Sequence, residues 1–238
     1  MADDQPDAVE QSTTETADAG EQSTTDTADA AEQTTTDTAD AHSEPVAATG
    51  TSDRWVESLD DRLPSDLRTA LEQFLDADSV RTLGDWATEI RDLTGGGAIA
   101  VDDLCHTDRA TAHYGEVDGE RHYFACFYDA VVLAALTDSR VHVHTESPDG
   151  TVVEAVADED GAVTASPPEA VFSLGVSERA TPQDGGTVTH EDVYAAVCPY
   201  VRAFPDAAAY EDWAADAPAA TVAVPFASAA AFSAALVE

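Results

Sequence analysis

The sequence predicts an α+β fold, because segments with helical spacing of apolar residues stand before and after a run of short alternating strands. The helical spacing occurs before residue 94 and after residue 206, while most of the chain between residues 98 and 176 alternates apolar and polar positions. A longer segment, 126–136, is apolar on nearly all sides and predicts a buried helix. With 238 residues and an apolar fraction of 43%, the chain is long enough to build one sizeable core.

The individual elements follow from local patterns and from the residues that interrupt them. Short helices are predicted before the glycine run at 95–97, over 55–59, 63–75 and 80–93. Short strands are predicted by alternation over 98–104, 110–117, 122–124, 141–145, 151–157, just after the turn at 158–161, 170–176 and 221–224. Two further helices are predicted over 207–215 and 227–236, and residues 177–190 are expected to form a loop.

The first 50 residues are of low complexity. The segment that starts at Glu10 recurs almost unchanged from Glu21 and from Glu32, a period of eleven residues. Its only apolar residue type is alanine, and its threonine, serine and aspartate compete with helix formation. The repeat therefore cannot form the buried apolar seam of a helical supercoil. We therefore predict three regions: a disordered acidic repeat tail (1–50), a small N-terminal helical section (51–97) and a core domain (98–238).

The charge of the chain is extreme. It has 48 acidic and 10 basic residues, a net charge of −38, and it contains no lysine. This composition indicates adaptation to a salt-filled cytoplasm, where cations screen the self-repulsion of the folded chain. It argues against binding to nucleic acids or anionic membranes, which requires clustered basic residues. No signal peptide or membrane span is predicted, so we expect a cytoplasmic protein whose three cysteines stay reduced.

Cys126 and Asp129 are the most informative residues, together with Cys198 downstream. At a spacing of three, Cys126 and Asp129 share one face of the predicted helix. A helix start at or just before Cys126 would lower the pKa of its thiol and favour the thiolate, the form that binds metals. Thiolates select soft metals, and the chain lacks the closely spaced ligands of a closed zinc site.

Structural roles compete with functional ones at each of these positions. A lone cysteine on an apolar helix is usually a core residue, but a carboxylate such as Asp129 is costly to bury there and needs a reason. We assign Cys105 to a structural, buried position, with a third metal contact as the alternative.

The histidines and large aromatic residues admit similar alternatives. His142 and His144 could chelate a metal from one strand face, although exposed polar positions are the favoured interpretation. His106 and His113 are expected at the surface or in turns, and Trp213 and Phe232 are expected to anchor the core.

From about residue 119 onward the chain resembles the catalytic core of the organomercurial (alkylmercury) lyases. Four sequence elements carry this resemblance: the approach strand Arg121-His-Tyr-Phe124, the Cys126-x-x-Asp129 opening of the buried helix, the turn Ser166-Pro-Pro168, and Cys198 ahead of Glu211-Asp-Trp213. Two features depart from the family pattern. Pro199 replaces a second adjacent cysteine that some members have, and residues 54–97 are shorter than the usual N-terminal section.

The resemblance implies an enzyme and its site. Cys126 and Cys198 would capture mercury, with Asp129 as the acid–base residue and a candidate additional ligand. The reaction would be protonolysis of the carbon–mercury bond to a hydrocarbon and Hg(II), for mercury detoxification. It would need no cofactor and would use small cellular thiols as co-reactants. Its Hg(II) product would pass on these thiols to a mercuric reductase, an implied partner.

Two other functions stay open at this stage. One is a non-catalytic protein that binds or traffics mercury or copper on the same fold. Asp129 discriminates against it, because a metal carrier needs no proton donor between its thiols. The other is a member of the family that has diverged to a different substrate.

Overall fold

The structure is a computed structural model, and it describes residues 53–77, 79–93, 99–159, 161–181 and 187–237. Its helices are α1 (Ser65–Leu75), α2 (Leu83–Leu93), α3 (Tyr128–Thr137), α4 (His190–Ala196), α5 (Ala207–Ala214) and α6 (Ala229–Val237). Its strands are β1 (Tyr114–Val117), β2 (Glu120–Tyr123), β3 (Val141–Glu146), β4 (Val152–Ala157), β5 (Val163–Ser166), β6 (Val171–Ser177), β7 (Ala203–Phe204) and β8 (Ala219–Pro225). The predicted α+β class is confirmed.

Among the described residues, the strands form two antiparallel sheets. The larger has the order β2-β1-β3-β4-β5 and the smaller the order β7-β6-β8. The turn at Asp118 and Gly119 joins β1 to β2, as the sequence predicts, and both residues have positive φ angles. Aspartate followed by glycine suits this tight hairpin because both residue types tolerate left-handed backbone.

Helix α3 lies at the centre of the core. It packs against α6, β1 and β3, and Ala130 through Ala134 are buried on every side of it. This explains why residues 126–136 show no amphipathic face: a helix that is covered all round is apolar all round. The continuous apolar cluster around it extends from Val56 to Leu236, so α1 and α2 share one core with the sheets.

Three local predictions are wrong. Residues 55–59 form no helix, because Trp55 pairs with Ala223 beside β8 and the amide of Val56 donates to the carbonyl of Ala223. In place of a strand over 98–104, residues 101–103 form a 3₁₀ turn. The segment 177–190 was expected to be a loop, but α4 begins at its last residue, with the side chain of Thr189 accepting from the amide of Asp192 as its N-cap.

Some predictions concern residues outside the described ranges. The acidic repeat tail and the glycine run at 95–97 lie there, so the proposed regional boundaries stay predictions. In the part of the chain that the structure describes, no helix is long and apolar enough to span a membrane.

Strand β6 pairs with β8, and Gly175 of β6 lies so close to Thr221 of β8 that a side chain has no room there. A Cβ atom there would stand 2.6 Å from Cγ2 of Thr221 and 2.8 Å from the backbone oxygen of Ala220. A backbone oxygen cannot rotate away, so the two strands would have to separate. Leu174, the neighbouring residue on β6, lines the central cavity described below.

We predict that Gly175→Ala lowers the free energy of unfolding by about 2 kcal/mol, since overpacking a fixed contact forces the backbone to shift. Gly84→Ala is the matched control. Gly84 lies in helix α2, and a Cβ atom there would stand 3.4 Å from its nearest neighbour, the backbone oxygen of Leu59. That variant should be neutral or slightly stabilising. Urea denaturation in molar potassium chloride measures both, and equal losses would contradict the assignment.

Candidate active site

Cys126 lies just before α3, and Asp129 lies within it. The helix begins at Tyr128, two residues later than the sequence predicts, and Asp129 lies in its first turn. Cys126 is buried, and its Sγ lies 3.7 Å from Oδ2 of Asp129. The predicted juxtaposition of thiol and carboxylate is therefore present, although it arises from the turn before the helix.

Cys198 reaches the same place from the opposite side of the core. It is buried at the start of a 3₁₀ turn, Cys198–Tyr200, that follows α4. Hydrogen bonds tie this turn to the small sheet: Oγ of Ser173 donates to the carbonyl of Tyr200 at 2.8 Å, and Nε of Arg202 donates to that of Pro199 at 2.9 Å. The backbone that carries the thiol is thus held by β6 and by Arg202.

The third cysteine also lies in this site. Sγ of Cys105 is 3.3 Å from Sγ of Cys198, and the amide of Cys105 donates to Oδ2 of Asp129 at 3.3 Å. Assigning Cys105 to a purely structural position was therefore incomplete. Cys105 precedes Cys126 by 21 residues in an irregular segment, so no periodicity could join them. The connection comes from the amide of Ala125, which donates to the carbonyl of Cys105 at 2.9 Å.

The thiols hold their protons more strongly than free cysteine. A hydrogen bond with Cys198, burial and the charge of Asp129 raise the pKa of Cys126 well above its ordinary value. The pKa of Cys198 is raised as well, first by its hydrogen bond with Cys105 and further by burial. For Cys105 the hydrogen bond with Cys198 lowers the pKa, but burial and Asp129 outweigh it and raise the value to about 11. The expected lowering of the Cys126 pKa at a helix start is wrong, because α3 begins beyond it and burial opposes the thiolate.

The pKa of Asp129, like those of the thiols, is raised above its ordinary value. Burial raises the pKa of its carboxyl group to about 6, against the lowering effect of hydrogen bonds from Cys105 and Cys126. A partly buried carboxyl group beside three thiols can therefore accept or donate a proton near neutral pH.

An apolar cavity of about 120 Å³ opens beside the thiols. Its polar and sulfur-containing lining includes the three cysteines, Asp129 and Tyr194. Most of the remaining wall is apolar. It comes from α2, α3, α4, α6, β6 and the segments before β1 and after α4: Trp86, Ile90, Leu93, Ile99, Leu104, Val132, Leu174, Val193, Val197, Val201, Phe232 and Leu236. Phe232 thus lines the cavity as well as packing in the core, where its ring lies 6.4 Å from that of Trp86.

The histidines that were considered as ligands lie elsewhere or have other partners. His142 is exposed on β3, and His144 stacks on Tyr114 and pairs with Glu154 at 2.6 Å. His106 is exposed, and its ring nitrogen Nε2 contacts the carbonyl of Val101. Within the described ranges, no three or more histidine, cysteine or acidic side chains have the spacing of a preformed metal site.

His113, expected at the surface or in a turn, is instead buried behind Cys198. Arg202 donates to its Nε2 at 2.9 Å, and its Nδ1 lies 2.7 Å from Oγ1 of Thr145. A guanidinium group can only donate, so Nε2 must accept and the proton must be on Nδ1. The imidazole is therefore neutral, and it links β3 to the arginine that supports the Cys198 turn.

Comparison with known proteins places the chain in a family. Residues 106–238 match the model of the alkylmercury lyases (MerB), which is more than half of the chain. The chain belongs to the alkylmercury lyase family. Among solved structures it is similar to the mercury-bound form of MerB2, with 14% identity and a TM-score of 0.42 over 54% of this chain. The chain covers 58% of that protein's length, and no curated protein sequence matches it significantly.

Only part of the site lies within the residues that match the family model. Cys126, Asp129 and Cys198 lie inside the matched residues, whereas Cys105 precedes them by one position. Helix α2, which supplies part of the cavity wall, also precedes the region that resembles the alkylmercury lyases.

We predict that His113 makes stability depend on pH between about 6.5 and 4. Burial first, then the charges of Arg202 and His144, lower its pKa in the folded protein to about 4, whereas an unfolded histidine titrates near 6.5. The unfolded chain therefore binds more protons in this window, and the free energy of unfolding falls as pH falls, on the order of 2 kcal/mol.

The non-titrating variant His113→Gln is the control for this prediction, because both proteins share the acidic residues that titrate in the same range. Urea denaturation from pH 7.5 to 4 should give a smaller slope for the variant. Parallel curves would show that the imidazole is not held neutral.

Proposed function

We propose that this protein is an organomercurial lyase that cleaves carbon–mercury bonds by protonolysis. Cys126 and Cys198 bind the mercury atom, and Asp129 delivers the proton to carbon. The observation that carries the proposal is a partly buried carboxyl group 3.7 Å from one thiol, at an apolar cavity that a second thiol also lines. Membership of the alkylmercury lyase family supports it.

The reaction balances with these groups and the ligand that the substrate brings. Mercury displaces the protons of the two thiols: the Asp129 carboxylate accepts one of them, and the other leaves with the thiolate or halide that the substrate releases. Sulfur donation weakens the carbon–mercury bond, whose electron pair goes to carbon as Asp129 returns the proton there. The products are a hydrocarbon and Hg(II) on the two thiolates, with no change in the oxidation state of mercury.

The cavity suits the organic part of such a substrate. Its wall of tryptophan, phenylalanine and aliphatic side chains removes apolar surface from water, which favours small alkyl or aryl groups. The same wall keeps bulk water away from Asp129, so the proton that reaches carbon comes from this carboxyl group.

The cellular role that we propose is mercury detoxification in a salt-rich cytoplasm. Small thiols would remove the Hg(II) product by ligand exchange and pass it to a mercuric reductase, as the family resemblance implies. The high acidic charge fits such a compartment, and the assays below therefore contain molar potassium chloride.

A soft-metal carrier is the second candidate function. The contact between the thiols of Cys105 and Cys198 also suits a protein that holds mercury or copper without catalysis. The two functions differ in one product, because only the lyase releases a hydrocarbon.

We predict that Asp129→Asn lowers benzene release from phenylmercury by 100-fold or more, on the order expected when a general acid is lost. The purified protein is assayed in molar potassium chloride with excess small thiol, and benzene is measured by gas chromatography. Asp138→Asn is the matched control, because this exposed aspartate lies at the other end of the same helix and should leave release unchanged.

Mercury binding separates the two candidate functions in the same experiment. Asp129→Asn should still bind Hg(II), because both thiols remain. Tight mercury binding by the wild-type protein without any benzene would replace the lyase with the carrier.

We also predict that Cys126→Ala and Cys198→Ala each abolish benzene release and weaken Hg(II) binding, because a single thiolate cannot both capture the metal and activate its bond to carbon. Equilibrium competition with a small dithiol measures the binding. A variant that keeps wild-type turnover would remove that residue from the proposed pair.

A further inference from the structure

We propose that Cys105 supplies a third thiolate to the mercuric ion that remains after the carbon–mercury bond is broken. The inference rests on the proposed function. Its basis is the position of Cys105, whose Sγ lies 3.3 Å from that of Cys198 and which lines the same cavity as Cys126 and Asp129. The three thiols and the carboxyl group thus surround one end of the cavity.

The backbone of Cys105 is fixed to both segments that carry the other thiols. Its carbonyl accepts the amide of Ala125 at 2.9 Å, next to Cys126. The hydroxyl of Tyr194, on the helix that leads to Cys198, donates to the carbonyl of Leu104 at 3.1 Å. The amide of Cys105 itself donates to Asp129. Three hydrogen bonds, two to Cys105 and one to Leu104, therefore hold the backbone beside this thiol in the site.

The order of events follows from the number of groups bound to mercury. While the organic group is attached, carbon and the thiolates of Cys126 and Cys198 occupy the metal. When the hydrocarbon leaves, one position becomes free, and the nearest unused soft donor is the sulfur of Cys105.

The proton of Cys105 has a defined acceptor. Asp129 has just given its proton to carbon and is a carboxylate again. It faces Cys105, and it takes the thiol proton as the third sulfur–mercury bond forms. In this step the S–H bond of Cys105 breaks, a bond to mercury forms, and no electrons are gained or lost.

The resting thiols are not yet arranged around one point, as the absence of a preformed metal site among the described residues indicates. The short contact between the sulfurs of Cys105 and Cys198 is a hydrogen bond, and it must open for both to bind one ion. Rotation of the Cys105 side chain is sufficient, because the backbone contacts of this residue do not involve its sulfur. The third ligand is therefore recruited by the product.

The test is the number of sulfur atoms around mercury in the full-length protein. Wild-type protein and Cys105→Ser are loaded with one equivalent of mercuric chloride in molar potassium chloride, without added thiol. Mercury-edge X-ray absorption should find three sulfur neighbours in the wild type and two in the variant. Release of mercury to a competing dithiol should be at least tenfold faster from Cys105→Ser, because one of three bonds is missing.

The wild-type coordination number decides the question even if the variant does not fold. Two sulfur neighbours in the wild-type protein would overturn the proposal, as would equal release rates from a folded Cys105→Ser. A Cys105–Cys198 disulfide after loading, seen by mass spectrometry of the intact protein, would also overturn it, since neither sulfur would then be a thiolate. Benzene release with two sulfur neighbours leaves the lyase intact and rejects only the third ligand. Three sulfur neighbours without benzene release would support Cys105 as a third mercury ligand and reject the lyase activity.

Discussion

The site depends on satisfying one carboxyl group in an apolar cavity. Asp129 needs hydrogen-bond donors where water is largely excluded, and it finds them in the amide of Cys105 and the thiol of Cys126. These donors come from chain segments that are held together by the amide of Ala125 and the carbonyl of Cys105. The need to satisfy Asp129 thus holds the segments of Cys105 and Cys126 together beside its carboxyl group.

Cys198 is positioned by a separate polar system. Arg202 supports the turn that carries this thiol, and His113 accepts from Arg202 while it contacts Thr145 on the large sheet. The small sheet adds Ser173, whose hydroxyl donates to the same turn. Buried polar groups that are all paired specify one arrangement of the elements around them. Cys198 is consequently placed relative to both sheets, whereas Cys126 is placed by the segment just before α3.

The sequence predicted those parts of the fold that depend on local periodicity. Helix α3, the hairpin at Asp118 and Gly119 and most strands follow from patterns within ten or so residues. It also predicted the pairing of Cys126 with Asp129, because they are three positions apart in sequence. Other features depend on contacts between residues that are far apart in sequence: the pairing of Trp55 with β8, the position of His113 and the approach of Cys105 to Cys198. No spacing rule applies to such contacts. The late start of α3 changed the expected thiol electrostatics for the same reason, since burial is a tertiary property.

The cavity wall has an origin that differs from that of the reacting groups. Trp86, Ile90 and Leu93 come from α2, outside the residues that match the alkylmercury lyases, while Cys126, Asp129 and Cys198 lie within them. Substitutions along one face of an eleven-residue helix can therefore reshape the cavity without changing any of the three cysteines. In evolutionary terms, the shape of the cavity and its thiol and carboxyl groups can drift independently in this protein, and a designer could exchange α2 to reshape the cavity while leaving Cys126, Asp129 and Cys198 in place.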